Sequence, residues 1–188
     1  MFTIVIPYFN NKKILLLTLK NLSQQTKKPQ SIIISDDCST DNETINNSDL
    51  KNIFHDSFSE INFSILKNNV NTKYVILAGQ DDYFSHDMIE LYDKILLKNK
   101  KVKAITRDYY WFNEDHKSPV REKRSCFADD FIINSSEKDK SKIIDFITSL
   151  DQLSGLCFHM SLFEKYKISR FVLPCHTSPF FGALSENN

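Results

Sequence analysis

The apolar residues of this chain fall into two kinds of segment that alternate along the sequence. Short runs such as FTIVIPY and SIIIS are continuously apolar or β-branched, which is typical of strands buried on both faces of a sheet. Longer segments carry leucine and isoleucine at helical spacing. The patterns predict strands over residues 2–7, 31–35, 61–66, 73–78 and 102–107, and helices over residues 11–25, 49–58, 86–98 and 139–150.

Alternating strands and helices predict an α/β fold, a three-layer α/β/α sandwich with a mostly parallel central sheet and right-handed crossovers. In the first helix, KKILLLTLKNLSQQ, Ile14 and the leucines recur at helical spacing, so we expect that face to be core and not a binding site. Residues 108–136 are polar and aromatic with no clear period, which predicts an excursion from the sandwich. The helix at 139–150 and the segment QLSGLCFHMSLFEKY follow it.

The composition agrees with one globular domain over residues 1–188. The chain is 41% hydrophobic and 26% charged, and its 24 basic residues balance 24 acidic ones, so no bulk affinity for nucleic acid is expected. The N-terminus reads as a strand and not as a leader peptide, and no apolar run approaches the ~18 residues that span a bilayer, so a cytoplasmic location is expected. The basic stretches KNKKVK and KSPVREKRS are interpreted either as solvated ends and loops or as weak contacts with an anionic membrane surface or a phosphate.

An acidic pair, Asp81 and Asp82, follows the predicted strand at 73–78 in the sequence YVILAGQDDYF. Adjacent carboxylates at a strand end suit Mg²⁺ or Mn²⁺, because such cations prefer oxygen ligands and leave positions for water and phosphate. The alternative is an acidic turn that caps the helix starting near His86.

A second acidic cluster follows the predicted strand at 31–35. Asp36, Asp37 and Asp41 lie at its carboxyl end, where open α/β sheets bind ligands. Helix capping is the alternative role for Asp36 and Asp41. The first strand stops at Pro7, which has no N–H to continue a central ladder, so three strands end in polar loops.

The blocks IVIPYFN, LKNLSQQTKKPQSIIISDDCSTDNET and YVILAGQDDYF resemble, in order and spacing, the signature of family 2 glycosyltransferases of the GT-A fold. The resemblance implies a Rossmann-like GT-A sandwich. It also implies metal-dependent, inverting transfer of a sugar from a nucleotide-diphosphate donor to a glycan or lipid-linked acceptor, as in bacterial capsule or lipopolysaccharide synthesis. Residues 1–107 would form the nucleotide-sugar half and residues 108–188 an incomplete acceptor half. The chain would then be a short or truncated member. Its basic stretches would give it peripheral contact at the inner membrane surface.

The resemblance also implies roles for individual residues. Asp81 and Asp82 would hold Mn²⁺ or Mg²⁺, with Asp82 the direct ligand, and the metal would neutralise the departing diphosphate. Asp37 would accept a hydrogen bond from a base N–H, which rejects bases that lack this donor. The full set implied to bind the nucleotide sugar is Pro7, Tyr8, Phe9, Asn10, Asp36, Asp37, Gln80 and Asp81.

The general base is the open assignment. Alignment of the late FF pair places Thr177 where relatives carry an aspartate, with His176 beside it, and a histidine of ordinary pKa near 6.5 suits proton abstraction. A capping or packing role is the alternative for His176, and Asp151 is the other candidate base. Two other functions stay open: a non-catalytic nucleotide-binding remnant, and a receiver-like Mg²⁺-dependent phosphoacceptor domain, whose acidic pair should follow the first strand.

Overall fold

The computed structural model describes residues 1–37, 39–41, 50–54, 68–121, 125, 127, 129–165 and 175–186. Within these residues the strands are β1 (Phe2–Tyr8), β2 (Ser31–Asp36), β3 (Leu50–Phe54), β4 (Tyr74–Leu77), β5 (Ala104–Ile105), β6 (Trp111–Phe112), β7 (Pro119–Arg121) and β8 (Cys157–His159). The helices are α1 (Lys12–Ser23), α2 (Met88–Lys98), α3 (Lys140–Thr148), α4 (Met160–Lys165) and α5 (Ser178–Glu186), and a 3₁₀ turn, Cys175–Thr177, precedes α5.

The central sheet is mixed, with strand order β3-β2-β1-β4-β8-β5. β1 is its middle strand, and Val5 lies beside Ile33 of β2 and Leu77 of β4 in parallel register. Strand β8 runs antiparallel to both β4 and β5. The predicted α/β sandwich with a mostly parallel sheet is therefore confirmed, and its antiparallel strand comes from the second half of the chain.

Alternation along β1 divides the core between the two faces of the sheet. Ile4 and Ile6 pack with α1 and α2 on one face. Val5 packs on the other face with α3, α4 and α5. Every one of these β1 side chains is fully buried. The continuous apolar run in the sequence thus reflects a central strand covered by helices on both sides.

One predicted helix is wrong and one predicted strand is untested. Residues 50–54, assigned to a helix over 49–58, form strand β3, which pairs in parallel with β2 from Ile32 beside Leu50 to Asp36 beside Phe54. The open backbone groups of β2 decided this, because pairing satisfies a whole row of donors and acceptors that a short helix would leave exposed. The strand predicted over 61–66 lies outside the described residues.

The second half of the chain holds short strands that the sequence pattern did not separate. The strand predicted over 102–107 is reduced to Ala104–Ile105. The aromatic stretch after it contains β6 and β7, which pair with each other in a separate two-stranded sheet. Among the described residues, no helix has the length and hydrophobicity needed to cross a membrane.

Candidate functional site

Three loops that follow β1, β2 and β4 meet at the carboxyl edge of the parallel strands. The side-chain amide of Gln80 accepts from Phe9 N–H (2.8 Å) and donates to the carbonyl of Asn10 (3.3 Å). Asn10 N–H donates to Ser39 Oγ (2.8 Å), and Asn10 Oδ1 accepts from Thr40 N–H (2.9 Å). The predicted nucleotide-binding loops therefore form one hydrogen-bonded cluster.

The turn out of β1 uses two consecutive left-handed residues. Asn10 has φ 51° and Asn11 has φ 64°. Asparagine is one of the few residues that tolerates this region, because its short polar side chain bonds locally. The turn directs the chain into α1, whose first residue, Lys12, lies close to the site.

Asp41 caps helix α1, which precedes it in the chain. Its Oδ2 accepts from Lys12 N–H (2.9 Å), the first residue of α1, and its Oδ1 accepts from the Tyr8 hydroxyl (2.6 Å). These bonds lower the pKa of Asp41. Burial, together with the bond to Asp41, raises the pKa of Tyr8. Asp41 is therefore a helix cap, as one interpretation predicted. The helix that it caps begins 29 residues earlier in the chain.

Asp36 and Asp37 have different surroundings. Asp36 is buried, at 4% exposure, and its Oδ1 accepts from Ser39 N–H (2.9 Å), which shapes the loop after β2. Asp37 donates its own N–H to the carbonyl of Tyr8 (2.8 Å) while its carboxylate is only half-buried. Asp37 is thus the better placed of the two to meet a ligand.

Asp82 lies half-buried beside Ser154, and Asp81 is exposed next to it. Ser154 Oγ accepts from Gly79 N–H (2.6 Å) and donates to Asp82 Oδ2. Burial raises the pKa of Asp82 and the charge of Asp81 adds to this rise, while the Ser154 bond and Arg107 oppose it. The N-cap residue of α2 is Asp87, so neither Asp81 nor Asp82 caps that helix.

Gly79 allows this close approach. A Cβ at this position would overlap Asp82 Oδ2 and lie 2.9 Å from Ser154 Oγ. A residue with any side chain would therefore displace the carboxylate of Asp82.

The acidic pair fits a hard divalent cation. Within the described residues there is no group of three or more histidine, cysteine, aspartate or glutamate side chains that could hold a metal. A cation on Asp81 and Asp82 would therefore draw its remaining ligands from water and from phosphate oxygens, as Mg²⁺ typically does. A cation would also offset the negative charge of Asp81, which adds to the effect of burial in raising the pKa of Asp82.

Helix α1 supports the acidic loop through a polar stripe that sequence reasoning missed. Thr18 and Asn21 of α1 and Gln25, two residues past its end, are all buried. Thr18 Oγ donates to the carbonyl of Gln80 (2.7 Å), and Asn21 exchanges two hydrogen bonds with the backbone of Phe84 (3.0 and 2.8 Å). The side-chain amide of Gln25 donates to the carbonyl of Ser85 (2.6 Å). The spacing of 18, 21 and 25 on one helical face was the available signal.

The expectation that the leucine face of α1 is core holds for only part of the helix. Leu15 and Leu22 are buried, whereas Leu16 and Leu17 are exposed. The face that meets the site loop is polar.

Residues 149–155 connect the acidic pair to the other candidate residues. Arg107, which no motif indicated, donates to the carbonyls of Ser149 (2.9 Å) and Gln152 (3.0 Å). Burial lowers the pKa of Arg107, while the charges of Asp82 and Asp151 act in the opposite direction. Gly155 has φ 84°, and a Cβ there would lie 3.0 Å from Arg107 Cδ. A positive-φ glycine beside a long cationic side chain was not recognisable from the sequence.

Both candidate bases are found at this segment: Asp151 belongs to it, and His176 contacts it. His176 Nε2 bonds to the carbonyl of Leu150 (2.9 Å). Because a carbonyl only accepts, Nε2 carries the hydrogen and Nδ1 is the basic nitrogen of the ring. The neighbouring Asp151 is exposed and accepts from the hydroxyl of Tyr109. The structure thus brings His176 and Asp151 to one segment, whose Ser154 binds Asp82.

Comparison with solved structures shows the same fold in other proteins. The fold is similar to residues 1–349 of S. aureus TarS in complex with UDP-GlcNAc, with a TM-score of 0.72, 15% identity, and coverage of 96% of this chain and 53% of that one. The UDP complex of TarS gives a TM-score of 0.71 at 16% identity, covering 97% of this chain and 54% of that one. The mannosyltransferase PcManGT from Pyrobaculum calidifontis, in complex with GDP-Man and Mn²⁺, gives 0.55 at 15% identity, covering 87% and 46%.

The chain therefore spans about half the length of these solved chains. No curated protein matches its sequence. The predicted GT-A fold is confirmed by the structural similarity. Residues 3–170 match the family described as Glycosyl transferase family 2, which is most of the chain. The chain belongs to glycosyltransferase family 2.

Proposed function

We propose that this chain transfers a sugar from a nucleotide-diphosphate donor to a hydroxyl of a glycan or lipid-linked acceptor. The observation that carries the proposal is the hydrogen-bonded cluster of loops after β1, β2 and β4, in which Gln80 joins Phe9 to the acidic loop. That edge of an α/β sheet is where ligands bind. Family membership and the donor complexes named for TarS and PcManGT support the same reading.

The donor nucleotide would lie between the loop at residues 7–10 and Asp37. The carboxylate of Asp37 can accept an N–H of the base, and such a buried bond discriminates strongly because its loss leaves a polar group unpaired. Asp36 holds the loop in shape through Ser39. Gln80 fixes the position of Phe9, whose side chain is exposed toward solvent and available to a ligand.

Asp81 and Asp82 would hold Mn²⁺ or Mg²⁺ in this enzyme. When bound, the cation supplies Lewis-acid neutralisation of charge on the leaving diphosphate. The protein's part is to keep the two carboxylates side by side at the strand end, with Ser154 and Gly79 setting the position of Asp82.

The acceptor hydroxyl needs a base as it attacks the anomeric carbon on the face opposite the diphosphate, which inverts the configuration. We assign this role to His176 through Nδ1, with Asp151 as the second candidate, because Asp151 belongs to the segment 149–155 and His176 bonds to Leu150 of the same segment. Residues 1–107 would then serve mainly the donor and residues 108–188 mainly the acceptor. Strand β8 joins the two halves, because it belongs to residues 108–188 and lies between β4 and β5 of residues 1–107.

The cellular setting that we propose is synthesis of a bacterial surface polysaccharide on the cytoplasmic side of the membrane. Analogy with other family members supports this setting. A non-catalytic remnant that binds nucleotide without transfer is the alternative. The receiver-like alternative has no support, because β1 is followed by Phe9 and Asn10 and not by an acidic pair.

Thermal unfolding with nucleotide diphosphates tests the donor site. We expect UDP, GDP or dTDP with Mn²⁺ to raise the melting temperature, and the same nucleotide with EDTA to raise it much less. At about 100 times the dissociation constant, binding adds ~2.7 kcal/mol to the free energy of unfolding. If no nucleotide diphosphate stabilises the chain with any divalent cation, the proposed function is wrong. If donor binding occurs without transfer to any acceptor, the remnant alternative is correct.

A further inference from the structure

Helices α1 and α2 lie side by side over one face of the sheet. Both contribute to the same core cluster with Ile4 and Ile6 of β1. The end of the α1 segment is tied to α2 by Thr26 Oγ, which donates to Glu90 Oε2 (2.8 Å), and by the ion pair between Lys27 and Asp93. The outward faces of the two helices therefore form one continuous surface.

This surface carries exposed leucines. Leu16 and Leu17 of α1 are 45% and 60% exposed, and Leu91 and Leu97 of α2 are 45% and 57% exposed. Single exposed apolar residues are ordinary, but four leucines on two adjacent helices form a patch.

Lysines surround these leucines. Residues 12–28 and 87–101 contain nine lysines against three acidic residues, in a chain whose formal net charge is zero. Two of the acidic residues are already paired, Glu90 with Lys94 (2.6 Å) and Asp93 with Lys27. We call the outward surface of α1, α2 and their C-terminal turns the leucine–lysine face. Its exposed members are Lys13, Leu16, Leu17, Lys20, Lys28, Leu91, Lys94, Leu97, Lys98, Lys100 and Lys101.

The remainder of the chain carries the opposite charge, since the excess of six lysines over acidic residues in these two segments is balanced elsewhere by an equal excess of acidic residues. An asymmetry of this kind orients a neutral protein toward an anionic surface. We propose that the leucine–lysine face docks on an anionic lipid bilayer. Leucines enter the headgroup region while lysines contact lipid phosphates, as in interfacial amphipathic helices.

The mixture of residue types selects a bilayer over a soluble polyanion. A dissolved glycan or nucleic acid would use the lysines but gain nothing from Leu17 or Leu97, whereas a bilayer accommodates both. The basic stretch KNKKVK contributes Lys98, Lys100 and Lys101 to this face. Docking leaves the sheet edge that carries the site at the rim of the contact, because α1 begins directly after the loop at Phe9 and Asn10.

The opposite helical layer provides a matched control surface. Ile144 and Ile147 of α3 are 60% and 50% exposed, which is within the 45–60% range of the four leucines. Residues 137–148, however, contain three lysines balanced by three acidic residues. The proposal predicts that this surface does not bind anionic lipid.

The test is co-sedimentation of the full chain with vesicles, which needs no donor and is independent of sugar transfer. We expect binding to phosphatidylcholine vesicles containing about 30 mol % phosphatidylglycerol to be at least about tenfold tighter than to phosphatidylcholine alone, and to weaken in about 0.5 M salt. Lys13→Glu with Lys98→Glu, and separately Leu17→Ser with Leu97→Ser, should each lower the affinity about tenfold or more. The control Ile144→Ser with Ile147→Ser should leave it unchanged.

A fluorescence measurement reports insertion directly. Trp111 is the single tryptophan of the chain, so Leu17→Trp in a Trp111→Phe background gives one probe on the face, and Ile144→Trp gives the control. We expect a blue shift of the tryptophan emission on anionic vesicles for the first probe only.

Three outcomes overturn the proposal: equal binding to neutral and anionic vesicles, an equal loss of affinity in the control variant, or no shift for Leu17→Trp. The proposal is also overturned, in favour of a soluble polyanion, if only the lysine variant loses affinity for the vesicles and heparin displaces the chain from them.

Discussion

At the scale of single residues, Asp82 is the most constrained side chain of the site. It lies against Gly79 and Ser154, next to a second carboxylate, and burial with that neighbouring charge raises its pKa. Asp37 instead lies half-buried after β2, and its backbone N–H donates to the carbonyl of Tyr8 in β1. The two aspartates therefore suit different parts of a donor: the diphosphate with its cation, and the base.

We expect Asp82→Asn to abolish the Mn²⁺ dependence of nucleotide binding with little change in stability, because an asparagine can still accept from Ser154. Asp37→Ala should weaken nucleotide binding both with and without metal, because it removes the base acceptor. A metal titration followed by calorimetry distinguishes the two. Asp87→Asn, a nearby aspartate that forms no side-chain cap bond, is the control. Identical behaviour of the Asp82 and Asp37 variants would show that the division of roles is wrong.

A catalytic role of His176 can be distinguished from a structural one, because glutamine can replace its hydrogen bond to Leu150 but cannot act as a base. An amide N–H of His176→Gln can replace Nε2 in the bond to Leu150, but an amide is not a base at neutral pH. If His176 is the base, both His176→Gln and His176→Ala should lower the transfer rate by about 10²- to 10⁴-fold at unchanged donor affinity. Normal transfer by His176→Gln would assign the role to Asp151, for which Asp151→Asn is the matched variant.

At the scale of elements, α1 presents three different surfaces. Leu15 and Leu22 pack on the sheet, Asn21 lies among the polar residues that bind the loop after β4, and Leu17 faces outward. One short helix thus contributes to the core, the site and the proposed lipid contact. Its buried polar stripe makes the position of the acidic loop depend on the packing of α1.

Asn21→Ala should be strongly destabilising, because it leaves the N–H and the carbonyl of Phe84 buried without their partner. A loss of about 2–3 kcal/mol in the free energy of unfolding is expected in urea denaturation. Nucleotide affinity should fall as well, since the loop that carries Asp81 and Asp82 loses its anchor. Ser23→Ala, an exposed position on the same helix, should change stability by less than about 0.5 kcal/mol. An equal effect at both positions would contradict this account of the stripe.

At the scale of the whole molecule, Glu186 at the end of α5 joins distant parts of the chain. It accepts from Lys103, just before β5, at 2.6 Å and from Lys165 at the end of α4 at 2.8 Å. These two cations lower the pKa of Glu186 to about 2. The three-residue cluster ties the last helix to the edge of the sheet that also contains β8.

The lowered pKa of Glu186 gives a pH dependence with a definite sign. The folded state binds the proton less tightly than the unfolded state, so this stabilisation is complete above the unfolded pKa of 4.5 and is lost as the pH falls from there toward about 2. Glu186→Gln should therefore be less stable than the parent chain at about pH 6, and the difference should shrink at about pH 3. Glu90→Gln, which breaks one exposed pair with Lys94, should show a smaller difference. A difference for Glu186→Gln that is independent of pH would contradict the cluster's role.

Local patterns in the sequence were enough to predict the strands β1, β2 and β4, the helices α1 and α2, and the carboxyl-end residues Asp37, Asp81 and Asp82. These features depend on local periodicity and on the rule that parallel strands deliver their following loops to one edge, both of which are visible in a short window. Family resemblance in the same windows predicted the fold that the structure shows.

Only the tertiary structure decided where β3 and β8 pair, which helix Asp41 caps, and that Ser154 and Arg107 belong beside the acidic pair. In each case the partner is distant along the chain: 18 residues for β3 and β2, 29 for Lys12 and Asp41, and 72 for Asp82 and Ser154. The identity of such a partner is set by which backbone groups and carboxylates remain unsatisfied once the sheet has assembled. The local sequence around a serine, an arginine or a short strand does not show which polar group it will pair with. Those unsatisfied groups exist only once the strands have been brought together.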